Sequence, residues 1–220
     1  ARRTVSRLGA RRLNTGQMPV LMAPEVAKGM IGHLVGAISG AALYRNASFL
    51  RDQAGERLFA DWVHLLERPR LARGANSGAF DCEGVATRER RLIEAGVLTG
   101  YVLSSYSARR LGLHTTGNAG GVRNLLLEPG GDGAEDLFAR LGDGLYVTEV
   151  MGQGVNLITG DYSRGATGFR VEQGKITHPV EEVTIAGNLR DMFRNVVAAG
   201  PDIDTRGNIQ CGKVLISCMV

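Results

Sequence analysis

The chain has 220 residues, a net charge of +4 and a hydrophobic share of 44%, so it can bury a sizeable core in one large domain or two small ones. Glycine is frequent at 31 residues and proline is scarce at 6, which favours many tight turns between strands over a disordered chain. No apolar run approaches the ~18 residues of a membrane span and no signal peptide is visible, so we expect no membrane association.

Arginine is concentrated at the start of the chain, and the remainder is close to neutral. Five arginines lie in the first dozen residues: Arg2, Arg3, Arg7, Arg11 and Arg12. A basic patch can indicate nucleic-acid binding, but no aromatic residues alternate with these arginines and no recognised binding motif follows. A solvated helix face is the better interpretation, and we expect no nucleic-acid partner.

The three cysteines, Cys82, Cys211 and Cys218, have neither the paired spacing of a disulfide framework nor that of a CxxC site. Such unpaired cysteines are typical of a reducing compartment. We therefore expect a cytoplasmic protein.

Helical periodicity dominates the first part of the chain. The apolar spacing predicts a helix over 4–13, a short strand over 19–22 and a long helix over 25–43. Each glycine inside a helix costs up to ~1 kcal/mol relative to alanine, so close neighbours are expected at the four glycines of the long helix. These are Gly29, Gly32, Gly36 and Gly40.

Strands and short helices follow. We predict strands over 58–67 and 88–103, the second as a hairpin turning at 94–96, then a short helix over 105–111. Asp132 is predicted to cap a helix over 134–141, which Gly142 closes.

The last third is predicted to contain a strand over 144–150, a hairpin turning at 173–174, a helix over 189–199 capped by Asn188, and closing strands over 209–220. Strands and helices do not alternate as βαβ units. The expected fold class is therefore α+β, with a large, barrel-like antiparallel sheet and a few packed helices.

The segment 151–169 is the most distinctive part of the chain. It places five glycines among apolar residues: Gly152, Gly154, Gly160, Gly165 and Gly168. Glycine weakens ordinary strands and helices, so it indicates a positive φ or a close backbone approach. A meander of short strands with glycine turns explains the pattern equally well.

The motifs that follow this segment narrow the interpretation. GNLRDMF spans 187–193 and NIQCGKV spans 208–214, and the chain also contains GHLVGAISG, SSYSARRLG and VTEVMGQGV. Together they resemble the C-terminal half of the PmbA/TldE proteins, the sister subunits of the TldD metallopeptidases. The resemblance implies one C-terminal-type domain over 1–220. The N-terminal α/β half of the family is absent from this chain, so we expect a fragment of a longer protein.

The resemblance also implies where a metal site would lie. TldD subunits carry the pattern H-E-x-x-x-H on a helix, in which two histidines bind zinc, the glutamate activates water and a distant cysteine completes the site. Here the glutamate is kept as Glu25, whereas Pro24 and Gly29 occupy the two histidine positions and cannot bind zinc through a side chain. Cys211 matches the cysteine ligand, although a buried structural thiol is the simpler interpretation. We expect Glu25 to be vestigial and no metal to bind this chain.

His33 is the nearest histidine to this site. It lies eight residues after Glu25, or roughly 12 Å along a helix, so it cannot replace a lost ligand. A hydrogen-bonded core or interface histidine is the better interpretation.

The function implied by the resemblance is that of a non-catalytic partner in a cytosolic TldD/TldE-type zinc metallopeptidase. The TldD-type subunit would hold the zinc, and the chain alone could form a homodimer. Such assemblies degrade or process unfolded peptides, including the leader of a peptide antibiotic. The older family label, modulator of DNA gyrase, does not imply DNA binding.

An extended peptide can pair with a sheet edge, and a glycine-rich edge would let its backbone approach. The candidate contacts are Gly152, Gly154, Asn156 and Arg164. The alternative is a metallopeptidase active in its own right, with ligands borrowed from a partner chain or not recognisable in the sequence.

Overall fold

Two sheets and six helices make up the described part of the chain. The computed structural model describes residues 2–131 and 133–220, with side chains from residue 4 onward. The helices are α1 (Arg2–Val5), α2 (Pro24–Ala37), α3 (Gly40–Tyr44), α4 (Ser105–Leu111), α5 (Leu137–Leu141) and α6 (Leu189–Arg194). None of these helices has the length and apolar character needed to cross a membrane.

The larger sheet has seven strands in the order β6-β10-β12-β1-β7-β8-β9. Its strands are β1 (Met18–Met22), β6 (Gly130–Gly131), β7 (Gly144–Met151), β8 (Asp161–Glu172), β9 (Lys175–Asn188), β10 (Val196–Ala199) and β12 (Val214–Met219). Strands β1 and β7 are parallel and the other neighbours are antiparallel. The long β8–β9 hairpin turns at Gln173 and Gly174, both at positive φ.

The smaller sheet has five strands in the order β11-β5-β2-β3-β4. Its strands are β2 (Leu65–Glu67), β3 (Arg90–Glu94), β4 (Val97–Leu98), β5 (Leu125–Leu127) and β11 (Ile209–Gln210). Strand β11 runs parallel to β5. After β11 the chain leaves the small sheet, continues directly into Cys211 and then forms β12 of the large sheet.

Helix α2 is packed between the two sheets and forms the centre of the main core. Its buried residues Met30, Ile31 and Leu34 belong to one cluster with residues of both sheets. Along β1 the side chains alternate, as a strand requires. Val20 and Met22 belong to this cluster, whereas Leu21 belongs to a second cluster that includes residues of α5.

The expected helix over 4–13 is wrong, since α1 ends at Val5. Val5 and Leu8 are exposed, so no apolar partner stabilises a longer helix. Gly9 has a φ of 74°, and Arg11 then forms an isolated bridge with Val180 of β9. Tertiary pairing replaces the helix that the spacing predicted.

The long helix over 25–43 is divided into α2 and α3. Ser39 has an extended backbone, accepts a hydrogen bond from Ala42 N and donates one to Gly36 O. A serine that caps a new helix while bonding the preceding turn separates the two helices.

Three other predicted boundaries are wrong. The predicted helix over 189–199 ends at Arg194, and 196–199 is the inner strand β10. The strand predicted over 58–67 is confined to Leu65–Glu67. The helix predicted over 134–141 begins only at Leu137, where Asp136 accepts from Ala139 N and caps it. The predicted cap, Asp132, lies outside the described residues.

The α+β class is confirmed, but both sheets are mixed rather than purely antiparallel. Barrel-like closure is not confirmed. In the described part of the chain the outer edge of β9 is bonded to the end of β12 only through Ala186 and Val220, and no continuous ladder closes the large sheet.

Candidate functional site

The site implied by the sequence lies where β1 ends and α2 begins. Ala23 provides the N-terminal boundary of α2 without a side-chain cap, and Pro24 occupies the first turn, where a missing N–H costs nothing. Glu25 is exposed in the same turn, a favourable place for a negative charge at a helix N-terminus.

Cys211 lies next to this turn, although 187 residues separate it from Pro24. Its thiol is fully buried and lies 3.7 Å from the carbonyl oxygen of Pro24, to which it donates a hydrogen bond. Burial raises the pKa of Cys211 to about 12. The structure therefore brings Pro24, Glu25 and Cys211 together as predicted, but with the thiol in its protonated form.

Four charged residues, which we call the ion-pair cluster, lie beside the thiol: Glu25, Lys28, Asp204 and Arg206. Arg206 Nη2 lies 3.0 Å from Glu25 Oε1, and Arg206 Nε lies 2.9 Å from Asp204 Oδ1. Lys28 Nζ lies 2.6 Å from Asp204 Oδ2 and 2.7 Å from the carbonyl oxygen of Arg206. Two cations and two anions therefore balance each other within the cluster.

The hydrogen bonds within the cluster favour the charged forms of Asp204 and Arg206. Hydrogen bonds from Arg206 and Lys28 hold the pKa of Asp204 well below its usual range, although burial opposes this shift. Hydrogen bonds to Asp204 and Glu25 raise the pKa of Arg206. At neutral pH Asp204 and Arg206 are therefore ionised.

These residues do not fit a zinc ion. Zinc needs three or four side-chain ligands, but Pro24 and Gly29 supply no side-chain donor, which leaves Cys211 alone of the three ligand positions. The carboxylate of Glu25 faces a guanidinium. In the described part of the chain, no group of three or more His, Cys, Asp or Glu residues is placed to hold a metal.

The prediction of a close neighbour is wrong for Gly29. It is exposed, and a Cβ built there would meet nothing within 4 Å. The prediction is right for two other glycines of this region. A Cβ at Gly36 would lie 3.1 Å from Leu157 Cδ1, and one at Gly40 would overlap Ser107.

Of the five glycines of segment 151–169, Gly165 and Gly168 lie within β8, and the other three lie in the loop that connects β7 to β8. Strand β8 is paired with β7 on one side and β9 on the other, so its backbone is not available to a peptide. Side chains at Gly154 and Gly168 would overlap the carbonyl oxygens of Ser163 and Tyr146. Strand β8 therefore does not supply a glycine-rich free edge.

Two of the candidate peptide contacts are engaged inside the chain. Asn156 Oδ1 accepts from Ile158 N at 2.9 Å, which forms a turn, and Arg164 Nε donates to Met151 O at 3.1 Å. Gly152 is exposed at a φ of 86°, with open space around its Cα. The direct role of these residues in peptide binding stays a prediction.

His33 connects α2 with this segment. Its ring meets that of Tyr162 edge to face, with centroids 6.1 Å apart. Burial and the nearby charge of Arg164 lower the pKa of His33. Leu157 lies against Gly36, and Ile209 lies 4.0 Å from a Cβ built at Gly32. Beyond Gly29, the glycine-bearing face of α2 therefore contacts the loop before β8 and strand β11.

Lys28, Asp204 and Arg206 could not be identified as site residues from the sequence. Asp204 and Arg206 precede the NIQCGKV motif, but nothing in their spacing relates them to a glutamate 181 residues away.

Two of the arginines in the first dozen residues form ion pairs within the chain. Arg7 pairs with Glu149 and Arg12 with Glu182.

The fold and this site define a metallopeptidase-type domain in which two of the three metal-ligand positions, at Pro24 and Gly29, carry no ligating side chain. A family model described as the PmbA/TldA metallopeptidase C-terminal domain matches residues 15–220. The chain is 55% identical over 216 residues to metalloprotease PmbA of Escherichia coli O157:H7. This match covers 98% of this chain and 48% of that protein. The chain therefore belongs to the PmbA/TldD metallopeptidase family.

Solved structures agree with this assignment. A Bacteroides thetaiotaomicron protein described as a suggested modulator of DNA gyrase matches with a TM-score of 0.93 and 29% identity, over 99% of this chain and 49% of that one. TldE from Thermococcus kodakarensis matches with a TM-score of 0.82 over 99% of this chain and 52% of that one. At 21% identity the second match shows the fold alone. The chain spans about half the length of the curated relatives it matches.

Proposed function

We propose that this chain is part of a non-catalytic subunit that assembles with a TldD-type metallopeptidase subunit. One observation carries the proposal: the position of the catalytic glutamate is kept, but Glu25 is paired with Arg206 while Pro24 and Gly29 stand at the ligand positions. A glutamate activates zinc-bound water only when it faces the metal. In the assembly the zinc belongs to the TldD-type partner.

The proposed substrates are unfolded peptides, including peptide-antibiotic leaders that are removed during maturation. The exposed face of α2 supports this idea, because Gly29 leaves open space where a side chain would otherwise stand. An extended backbone needs such access and makes little demand on sequence. The assembly is proposed to be a cytoplasmic heterodimer, with a homodimer as the form adopted without the partner.

The decisive experiment compares the same change in both subunits of the mixed complex. Glu25→Gln in this chain should leave peptide cleavage nearly intact, since Glu25 activates no water. The equivalent change at the motif glutamate of the TldD-type subunit should abolish cleavage. Size-exclusion chromatography would confirm that both complexes assemble. A large loss of cleavage from Glu25→Gln in an assembled complex would favour the alternative, a chain that takes part in the chemistry.

Metal content gives a second measurement. The purified full-length protein should hold no stoichiometric zinc after dialysis, because the ligand positions lack donors. Retention of about one equivalent of zinc, lost on Cys211→Ser, would contradict the proposal.

A further inference from the structure

The ion-pair cluster joins the same two segments that a metal ion would join. Glu25 and Lys28 belong to the first turns of α2, whereas Asp204 and Arg206 belong to the loop that leads to Cys211. Asp204 N also donates to the carbonyl oxygen of Cys211 at 3.0 Å. The cluster therefore connects the start of α2 to the loop closed on the cysteine.

A zinc ion held by histidines at positions 24 and 29 and by Cys211 would supply two things here. It would cross-link the helix to the cysteine segment, and its charge would balance that of Glu25. We propose that the ion-pair cluster replaces the metal in both respects: Arg206 is the counter-charge of Glu25, and the Lys28–Asp204 pair is the cross-link. This proposal does not depend on the partner subunit or on a peptide substrate.

The cross-linking part of the cluster is shielded from water. The side chains of Asp204 and Lys28 are only 10% and 17% exposed, whereas that of Arg206 is 74% exposed. Asp204 receives Nε and Nη2 of Arg206 at 2.9 and 3.0 Å, in addition to the ammonium of Lys28. Bidentate and shielded pairs are stronger than exposed single contacts. Asp204 is therefore the residue on which the link depends.

The accessibility of the Cys211 thiol tests the cross-link. Cys82 and Cys218 are exposed and Cys211 is buried, so both exposed cysteines are first changed to serine in the full-length protein. Asp204→Asn should then speed the reaction of Cys211 with Ellman's reagent by at least about tenfold, because the loop opens more often. The control is Arg12→Gln, which removes an ion pair with Glu182 at β9. Equal rates in Asp204→Asn and the parent would overturn the cross-link.

The counter-charge is tested by restoring the ligand positions. In the same cysteine background, Pro24→His and Gly29→His are combined, with and without Arg206→Gln. Position 29 has room for the new side chain, and the thiol already lies beside position 24. The variant that keeps Arg206 should bind zinc at least about tenfold more weakly, since a cation already balances Glu25.

Two readouts separate the outcomes of this second experiment. Zinc affinity is measured by competition with a chelator, and the ultraviolet thiolate band of added cadmium reports whether Cys211 is a ligand. Arg12→Gln in the double-histidine protein should leave affinity unchanged. Equal zinc affinity with and without Arg206, or no metal binding in either protein, would overturn the proposal that Arg206 replaces the metal as the counter-charge of Glu25.

Discussion

The glycines of α2 and α3 differ in what a methyl group would meet. Around Gly29 there is open space, so Gly29→Ala should raise the free energy of unfolding by up to ~1 kcal/mol through helix propensity. A Cβ at Gly40 would overlap both Cβ and Oγ of Ser107, which is buried and part of the capping box of α4. Gly40→Ala should therefore destabilise by about 1–3 kcal/mol. Urea denaturation of the two variants would show opposite shifts, and shifts of the same sign would contradict this account.

His33 has a lowered pKa, and the charge of a neighbouring arginine is one of its two causes. Burial is the larger cause and the charge of Arg164 the second. Arg164→Gln should raise the pKa of His33 but leave it below its usual value of 6.5, because burial remains. NMR titration of the imidazole measures this shift. Arg170→Gln, elsewhere on β8, is the matched control, and an unchanged pKa in Arg164→Gln would contradict the assignment.

The same lowered pKa gives a pH dependence of stability. As pH falls below about 6.5 the unfolded chain takes up a proton at this histidine before the folded chain does. The folded state therefore loses stability as pH falls through the interval between 6.5 and the lowered pKa of His33. The slope of unfolding free energy against pH over this interval should be smaller in His33→Gln.

Single residues of the site were predictable only where a motif marks them. The proximity of Pro24, Glu25 and Cys211 follows from the resemblance of two short motifs. The role of Arg206 does not, because its partner Glu25 is 181 residues away and an arginine in a polar loop carries no signal of its own. The open space around Gly29 was also unpredictable, since glycine spacing does not reveal whether a neighbour fills the gap.

Secondary-structure elements were predicted best where local signals agree with the tertiary environment. The helix Ser105–Leu111 and the turns at Ala95–Gly96 and Gln173–Gly174 are as predicted. The segment 196–199 is not, because it continues an apolar helical pattern but is paired with β6 and β12. Sheet pairing over long sequence distances determined that strand, and no local pattern contains that information.

The end of β2 carries a buried carboxylate that holds several elements of the small sheet. Glu67 is 2% exposed and its Oε2 accepts from Arg90 Nε of β3 at 3.0 Å. Its Oε1 accepts from Asn118 Nδ2 and Arg123 N, both at 2.8 Å. Every oxygen of this carboxylate therefore faces a donor.

Glu67→Gln should destabilise the chain by about 2 kcal/mol, because the new amide NH₂ faces a donor in either orientation. Glu89→Gln is the control. Glu89 lies 3.9 Å from Arg68, with both side chains largely exposed, so its loss should have little effect. Denaturant midpoints at neutral pH measure both changes. A neutral result for Glu67→Gln would show that the network rearranges at no cost.

At the scale of the whole molecule, the two sheets share one main core. Leu65, Leu92 and Leu125 of the small sheet belong to the same buried cluster as Val20 and Val214 of the large sheet. Helix α2 contributes to this cluster along most of its length. Elements that share a core unfold together. The expectation of one domain over 1–220 therefore predicts that both sheets unfold in one cooperative transition.

Leu34 of α2 provides the test of this cooperativity. It is fully buried in the shared cluster, so Leu34→Ala should cost about 2–5 kcal/mol. If the two sheets are one unit, hydrogen exchange followed by mass spectrometry should show β3 and β8 losing protection at the same denaturant concentration, and Leu34→Ala should shift both equally. Leu103→Ala, in the separate cluster formed with Leu43 and Ala108, should shift them less because fewer buried contacts surround it. Loss of protection in β3 well before β8 would instead show two separately folding units, each with its own boundary within 1–220.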